Sequence, residues 1–243
     1  MRVMWSIYNA IMFALIMLWT AAWISAALLA RACGAGEDFA LRMAARGWAP
    51  GVLLGAGVRL RVEGLERVDW SRPYLFVANH QSVIDNAALF RALPVPVRFL
   101  LKAEMARVPF LGWYARATGM LFIIRDARRS GPLLRREAAA LLAAGHGLCL
   151  FPEGTRSLTG EVAPFKSGAL QAAIDAGVAI VPVALQGAGR VLPVGGISGA
   201  RPGPIRVSIG VPLETRVDGA PLPRQALADR AHADVLAMLR QWA

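Results

Sequence analysis

The residues best suited to chemistry are a histidine and a carboxylate five positions apart, in the segment Asn79-His80-Gln81-Ser82-Val83-Ile84-Asp85-Asn86. An apolar run at 74–78 precedes it and reads as a strand. A strand end that turns into a helix is where open α/β sheets place their ligands. Within one continuous helix, residues five apart would point about 140° away from each other. For the pair to meet, His80 must lie in a non-helical turn and Asp85 in the first turn of a helix. The carboxylate then accepts from one ring nitrogen, fixes the tautomer and leaves the other nitrogen as a base. No serine or cysteine stands in a recognisable nucleophile elbow nearby, so such a base would act on an external hydroxyl. Taken alone, a His and an Asp in a polar loop are more often a structural turn.

A second constellation shifts that balance. Phe151-Pro152-Glu153-Gly154-Thr155-Arg156-Ser157 also follows an apolar run, at 148–151. Gly154 permits close approach of a ligand to the backbone, and Arg156 offers a planar fork for phosphate. Gly119-Met120-Leu121-Phe122-Ile123-Ile124-Arg125 ends a third apolar run with a cation, and Lys102 and Lys166 add two more. Each alone is a solvated surface charge. Several at consecutive strand ends read as a phosphate-binding rim.

The elements that must position these groups alternate in type. Strand periodicity at 58–62 is followed by strands at 74–78, 97–101, 120–124, 148–151, 179–185 and 205–209. Helical stretches at 85–93, 132–144, 167–176 and 224–242 fall between and after them. The alternation predicts an α/β fold, a mixed sheet flanked by helices on both faces.

Composition adds a membrane. The hydrophobic fraction is 56% and the mean hydropathy +0.46, which one apolar segment attached to a globular domain would explain. Residues 3–30 carry no charge, and about 20 apolar residues suffice for a helix to cross the hydrocarbon core. The run is too long for the apolar core of a cleaved signal peptide, about 7–15 residues. Residues 39–56 mix apolar side chains with Arg42, Arg46, Pro50 and several glycines, which predicts a second, interfacial helix folded back beside the first. The expected organisation is therefore a membrane-anchoring segment at 1–57 and a catalytic domain at 58–243. Arg31, Arg42 and Arg46 after the first apolar run favour a cytoplasmic domain. The formal charge of +11, from 27 basic and 16 acidic residues, favours anionic lipid and phosphorylated substrates. The basic residues are dispersed and no zinc-finger or RNA-recognition signature is present, so nucleic acid is not an expected partner. Cys33 and Cys149 form no disulfide framework, and His146 and His232 form no metal-ligand cluster.

In these motifs the chain resembles the glycerophospholipid acyltransferases, and specifically the 1-acyl-sn-glycerol-3-phosphate acyltransferases. Asn79, His80 and Asp85 match the family's Asn-His-x-x-x-x-Asp, and Gly119, Phe122, Ile123 and Arg125 its Gly-x-x-Phe-Ile-x-Arg. Phe151 to Ser157 match its Phe-Pro-Glu-Gly-Thr-Arg-Ser, and Ile180-Val181-Pro182-Val183 its proline-bearing strand. The likeness covers residues 60–187.

The resemblance implies that His80 takes the proton of an sn-2 hydroxyl as it attacks an acyl thioester, while Asp85 holds the imidazole. It implies phosphate binding by Arg125 and the loop Glu153, Gly154, Thr155 and Arg156, assisted by Lys102. Glu153 is unfavourable beside phosphate, so it orients Arg156 or a glycerol hydroxyl, or is structural. No cofactor is expected beyond the thioester co-substrate, on acyl-carrier protein or coenzyme A. The partners expected are lysophosphatidate, membrane lipid and that donor. Other lysolipid acceptors, and a catalytically inactive lipid-binding protein, are the alternatives.

Overall fold

The structure, a computed structural model, describes residues 2–123 and 127–242. It opens with the apolar helix α1 (Arg2–Ala32). Its stretch Trp5–Ala32, of mean hydropathy 2.1, is long and apolar enough to cross a membrane by length and composition. The chain reverses and returns as α2 (Glu37–Met43), a π-helical turn at Ala44–Trp48, and α3 (Ala49–Gly55). The expected second helix thus folds back beside the first. Trp19 Nε1 donates to the Trp48 carbonyl at 3.1 Å, and Trp48 Nε1 to Thr20 Oγ1 at 3.0 Å. Gly47, Gly51 and Gly55, four residues apart, form the contact: a Cβ there would run into Trp23, Trp19 and Ile16 respectively. Small residues at this spacing let helix backbones approach closely. These glycines are the packing surface of the returning limb, and Pro50 follows directly on the π-helical turn in a run that stays helical through Trp48 and Ala49; a proline removes one helical bond, and the remaining turns hold.

The remaining chain builds a seven-stranded sheet. Its strands and helices run β1 (Val58–Glu63), β2 (Leu75–Ala78), α4 (Asp85–Ala92), β3 (Val97–Lys102), α5 (Leu111–Ala117), β4 (Leu121–Ile123), α6 (Ala127–Ala143), β5 (Gly147–Leu150), α7 (Gln171–Ala176), β6 (Ile180–Gln186), α8 (Ala188–Val191) and β7 (Gly203–Ile209). A short ribbon, β8 (Arg216–Val217) with β9 (Ala220–Pro221), and α9 (Arg224–Arg240) complete it. The spatial order is β1-β7-β6-β2-β5-β3-β4. All neighbours pair in parallel except β6 with β7. Five strands, β6, β2, β5, β3 and β4, therefore end at one edge, and only β1 and β7 run the other way.

Alternation along the strands sends side chains to two cores. Phe76, Phe99, Cys149, Val181 and Val183 face α1 to α4, while Leu75, Val77, Leu148, Leu150 and Ile180 face α6, α7 and α9. Each large apolar side chain buried this way contributes about 1.5–3 kcal/mol. Both faces being covered explains why the central strands read as apolar runs rather than alternating ones. Pro182 is tolerated in β6 because its nitrogen faces the side where the neighbouring strand ends: its carbonyl accepts from Gly210 N at 2.8 Å as the chain turns away.

Two boundaries differ from expectation. α6 begins five residues before Pro132, which lies inside it; a proline removes one helical bond, and the remaining turns hold. The stretch at 167–176 opens as a 3-10 turn at Ser167–Leu170 before becoming α7.

Candidate active site

The common edge gathers the chemistry-bearing loops. His80 follows β2, Lys102 ends β3, the Glu153–Arg156 loop follows β5, and Gly187 follows β6. Continuing the register Phe76–Cys149–Phe99 by three residues puts Asn79, Pro152 and Lys102 at one level across the sheet. β3 is two strands from β2, so Lys102 starts about 10 Å to the side of His80. Arg125 falls outside the described residues.

Asp85 is the first residue of α4, and the turn before it is wound around its carboxylate. Oδ2 accepts from Gln81 N at 2.7 Å, Ser82 N at 2.8 Å and His80 Nδ1 at 2.8 Å. Asp85 is fully buried and His80's side chain is 17% exposed. The histidine lies in the turn and the carboxylate in the first helical turn, the arrangement the five-residue spacing required. With Nδ1–H bound to carboxylate, Nε2 carries the lone pair, and it has no hydrogen-bond partner among the described residues. The Phe151 ring stacks on the imidazole, with centroids 3.8 Å apart and planes 11° from parallel, and holds its orientation from the other side. Oδ1 of Asp85 is buried with no partner among the described residues. The Cys149 thiol is pushed up by burial and, second, by the Asp85 charge, and it stays a neutral core residue.

Asn79 fastens this turn to the sheet. Its side chain is buried; Nδ2 donates to the Leu185 carbonyl at 2.9 Å and Oδ1 accepts from Leu185 N at 2.7 Å. Ser82 Oγ donates to the Leu192 carbonyl at 2.7 Å and ties the turn to the chain beyond α8.

Glu153 is also buried, and both its oxygens are engaged. Oε1 accepts from His80 N at 2.7 Å and Oε2 from Ala163 N at 2.8 Å. Burial pushes its carboxyl up, and the Ala163 and His80 amides partly offset that. Ser157 N completes the link by donating to the His80 carbonyl at 2.8 Å. The carboxylate thus joins two motif loops. Gly154, at φ +77°, has the Lys166 ammonium over it: a Cβ would lie 2.5 Å from Nζ. Thr155 is exposed and Arg156 partly so. Among the described residues, Lys102, Arg156 and Lys166 make no ion pair, so three cations stand uncompensated at this edge.

Gly119 is not at this edge. It precedes β4, at the opposite end of the strands, with φ +70°; a Cβ would lie 2.8 Å from Glu37 Oε2 and 3.1 Å from Arg98 Nε. Arg98, almost fully buried, donates to Glu37 at 2.8 Å and Asp38 at 3.1 Å, the first two residues of α2. This motif glycine therefore makes room for the ion pairs that hold the helical hairpin on the sheet. The sequence signal was a lone arginine within an apolar strand.

A base with one nitrogen fixed and one open, beside free cations, can deprotonate the hydroxyl of an anionic acceptor. The chain is similar to a 1-acyl-sn-glycerol-3-phosphate acyltransferase of Chlamydomonas reinhardtii, 41% identical over 138 residues, which cover 57% of this chain and 41% of that protein. It is 34% identical over 132 residues to the human 1-acyl-sn-glycerol-3-phosphate acyltransferase alpha, covering 53% of this chain and 46% of that one. The chain thus spans less than half the length of these two relatives. Its fold matches the crystal structure of the 1-acyl-sn-glycerophosphate (LPA) acyltransferase from Thermotoga maritima over 100% of both chains, with a TM-score of 0.80 at 23% identity. The acyltransferase family profile covers residues 59–186, more than half of the chain and the loops that carry His80, Lys102 and Glu153 to Arg156, so the chain belongs to the acyltransferase family.

Proposed function

We propose that the chain transfers a fatty acyl group from an acyl thioester to the sn-2 hydroxyl of 1-acyl-glycerol-3-phosphate, forming phosphatidic acid. The observation that carries this reading is the His80 Nδ1–Asp85 Oδ2 contact at 2.8 Å, with Nε2 open at the edge where cations collect. Family membership and the names of the relatives support the acceptor. In the proposed step Nε2 takes the hydroxyl proton as the oxygen attacks the thioester carbonyl. The tetrahedral oxyanion then collapses, the C–S bond breaks, and the imidazolium returns the proton to the departing thiolate. Asp85 stabilises the imidazolium in between. Arg156 and Lys102, with Arg125, hold the acceptor's phosphate, and Glu153 sets the two loops. The donor is an acyl-carrier protein or coenzyme A thioester.

The lipid reading extends to the hairpin. Asn9 Nδ2 donates to the Ile197 carbonyl at 2.9 Å, and Arg31 Nε to the Ala117 carbonyl at 2.9 Å. These contacts are 22 residues apart, about 33 Å along α1, so the helix lies along the domain. A helix held at both ends this way cannot cross a bilayer while the domain stays in water. It rests instead in one leaflet, with exposed Ile7, Ile11, Leu15 and Leu18 among the acyl chains and the domain on the cytoplasmic face.

The test is acyl transfer by the full chain in mixed micelles, with a matrix of donors and acceptors and the His80→Ala variant alongside. Loss of about 10²–10⁴-fold in the variant is expected for a missing general base. An unchanged rate would overturn the mechanism; transfer only to phosphate-free lysolipids would overturn the acceptor.

A further inference from the structure

On the face of the sheet covered by the hairpin, between β1, α3 and the far end of α4, lies a groove that the proposed reaction does not use. Its volume is about 590 Å³, within the roughly 300–1,000 Å³ typical of small-molecule sites. Leu53, Leu60, Val62, Phe90, Leu93 and Val95 wall it, and Arg42, Arg46 and Arg91 reach it. No carboxylate among the described residues lines it. Among the described residues none of the three arginines makes an ion pair, and all three are exposed.

Its position sets it apart from the active site. Leu93 and Val95 lead into the start of β3, whereas Lys102 and the catalytic loops lie where the parallel strands end. Leu60 and Val62 belong to the edge strand β1, three strands and about 14 Å to the side of β2. Arg91 is in the last turn of α4, whose first residue is Asp85. Arg42 and Arg46 belong to the returning limb of the hairpin, about one turn apart. Like charges at that spacing oppose helix formation unless an anion joins them. The same limb exposes Phe39 at 55% and Leu54 at 81%, so the groove opens beside apolar surface already suited to a leaflet.

We propose that this groove binds an anionic glycerophospholipid of the leaflet as a resident, non-reacting ligand. One acyl chain lies along the apolar walls, and the head-group phosphate sits among the guanidinium groups of Arg42, Arg46 and Arg91. Charge complementarity selects the occupant: three arginines without a carboxylate suit a phosphate, and the walls beneath them suit only a hydrocarbon chain. The lipid would fasten the hairpin to α4 and to β1, the elements that flank the groove. The proposal rests on the hairpin lying in a leaflet, and its test separates the two ideas.

The full chain is bound to phosphatidylcholine vesicles containing a tenth phosphatidylglycerol (about 10%, enough for specific labelling without a strong surface field). The phosphatidylglycerol carries a photoactivatable diazirine in one acyl chain. Cross-linked peptides are mapped by mass spectrometry, and total binding is read by vesicle sedimentation. Labelling is expected at residues 53–62 and 90–95. The R42Q/R46Q/R91Q variant should lose it by about tenfold or more, since each cation near anionic lipid contributes about fivefold. R136Q/R224Q/R240Q, with the same charge change on the opposite face, should label as the native chain does. Leu60→Trp, which fills the groove and leaves the charges, should also lose labelling. Equal labelling by a diazirine phosphatidylcholine, or undiminished labelling of the R42Q/R46Q/R91Q variant, would overturn the proposal while leaving the leaflet reading intact. A native chain that fails to sediment with vesicles would overturn both.

Discussion

Replacing Asp85 by Asn isolates what the carboxylate's charge contributes, because all three of its donors converge on one oxygen. His80 Nδ1, Gln81 N and Ser82 N all lie 2.7–2.8 Å from Oδ2, and Oδ1 has no partner among the described residues. An asparagine that puts its carbonyl oxygen at that shared point keeps all three bonds, and with them the histidine tautomer. The opposite flip would face an NH₂ against two backbone donors, so it is disfavoured. Only the charge is then lost. A carboxylate 2.8 Å from an imidazolium attracts it by about 6 kcal/mol at an effective dielectric of about 20. The amide dipole keeps part of this and the transition-state charge is partial, so about 3 kcal/mol remains, or roughly 10² in rate. Asp85→Ala removes the acceptor altogether and frees the tautomer, so its loss should reach about 10³–10⁴. The assay is kcat and KM for acyl transfer by the native chain and both variants, with KM expected to stay within about threefold, since neither change touches the proposed phosphate cations. The amide NH₂, placed where Oδ1 is buried without a partner, should also cost about 1–3 kcal/mol of stability. Equal loss in the Asn and Ala variants would refute the shared-oxygen argument; native activity in Asp85→Asn would refute any role for the charge.

Glu153→Gln should cost about 1–3 kcal/mol at neutral pH, since one of the two backbone donors must then face an NH₂. Burial raises the Glu153 pKa, so the folded state holds that proton more tightly than the unfolded chain does. The group's contribution is therefore full at low pH and lost as pH rises through the carboxylate range. Denaturant unfolding from about pH 4 to 7 should show the gap between native and variant stability narrowing; a widening gap would contradict this. Asn79→Ala leaves the buried N–H and C=O of Leu185 without partners and should lower unfolding stability by about 2–5 kcal/mol, measured at the same denaturant midpoint. Gly119→Ala combines positive φ with a contact against Glu37 and Arg98 and should cost about 2–3 kcal/mol. It should also raise amide exchange at the start of α2; unchanged exchange there would place the glycine's role elsewhere.

Much of the site was legible because its residues are contiguous. Asn79 to Asp85 and Phe151 to Ser157 are single loops, and their strand–loop–helix setting follows from local periodicity. The five-residue offset alone required His80 in the turn and Asp85 in the helix, which is where they stand. Glu153's part was not legible: its partners are His80 N and Ala163 N, and backbone donors have no sequence signature. Gly119 sits in a motif with Phe122 and Ile123 but serves the opposite end of the strand, facing a buried Arg98 whose partners lie 60 residues earlier. The Gly47–Gly51–Gly55 spacing was readable in principle, yet glycine is read first as a helix breaker, and only the opposing Trp23, Trp19 and Ile16 make it a packing surface.

The His80–Asp85 pair, the apolar first helix and the alternation of strands and helices were set by the sequence itself, because each depends on neighbours within about ten residues. Tertiary structure decided the strand order that brings β2, β3 and β5 to one edge, and the reversal at β7. It also decided the direction of α1, which runs along the domain rather than away from it. These depend on which non-local surfaces bury one another, and the amino-acid order specifies that only through the complete packed core.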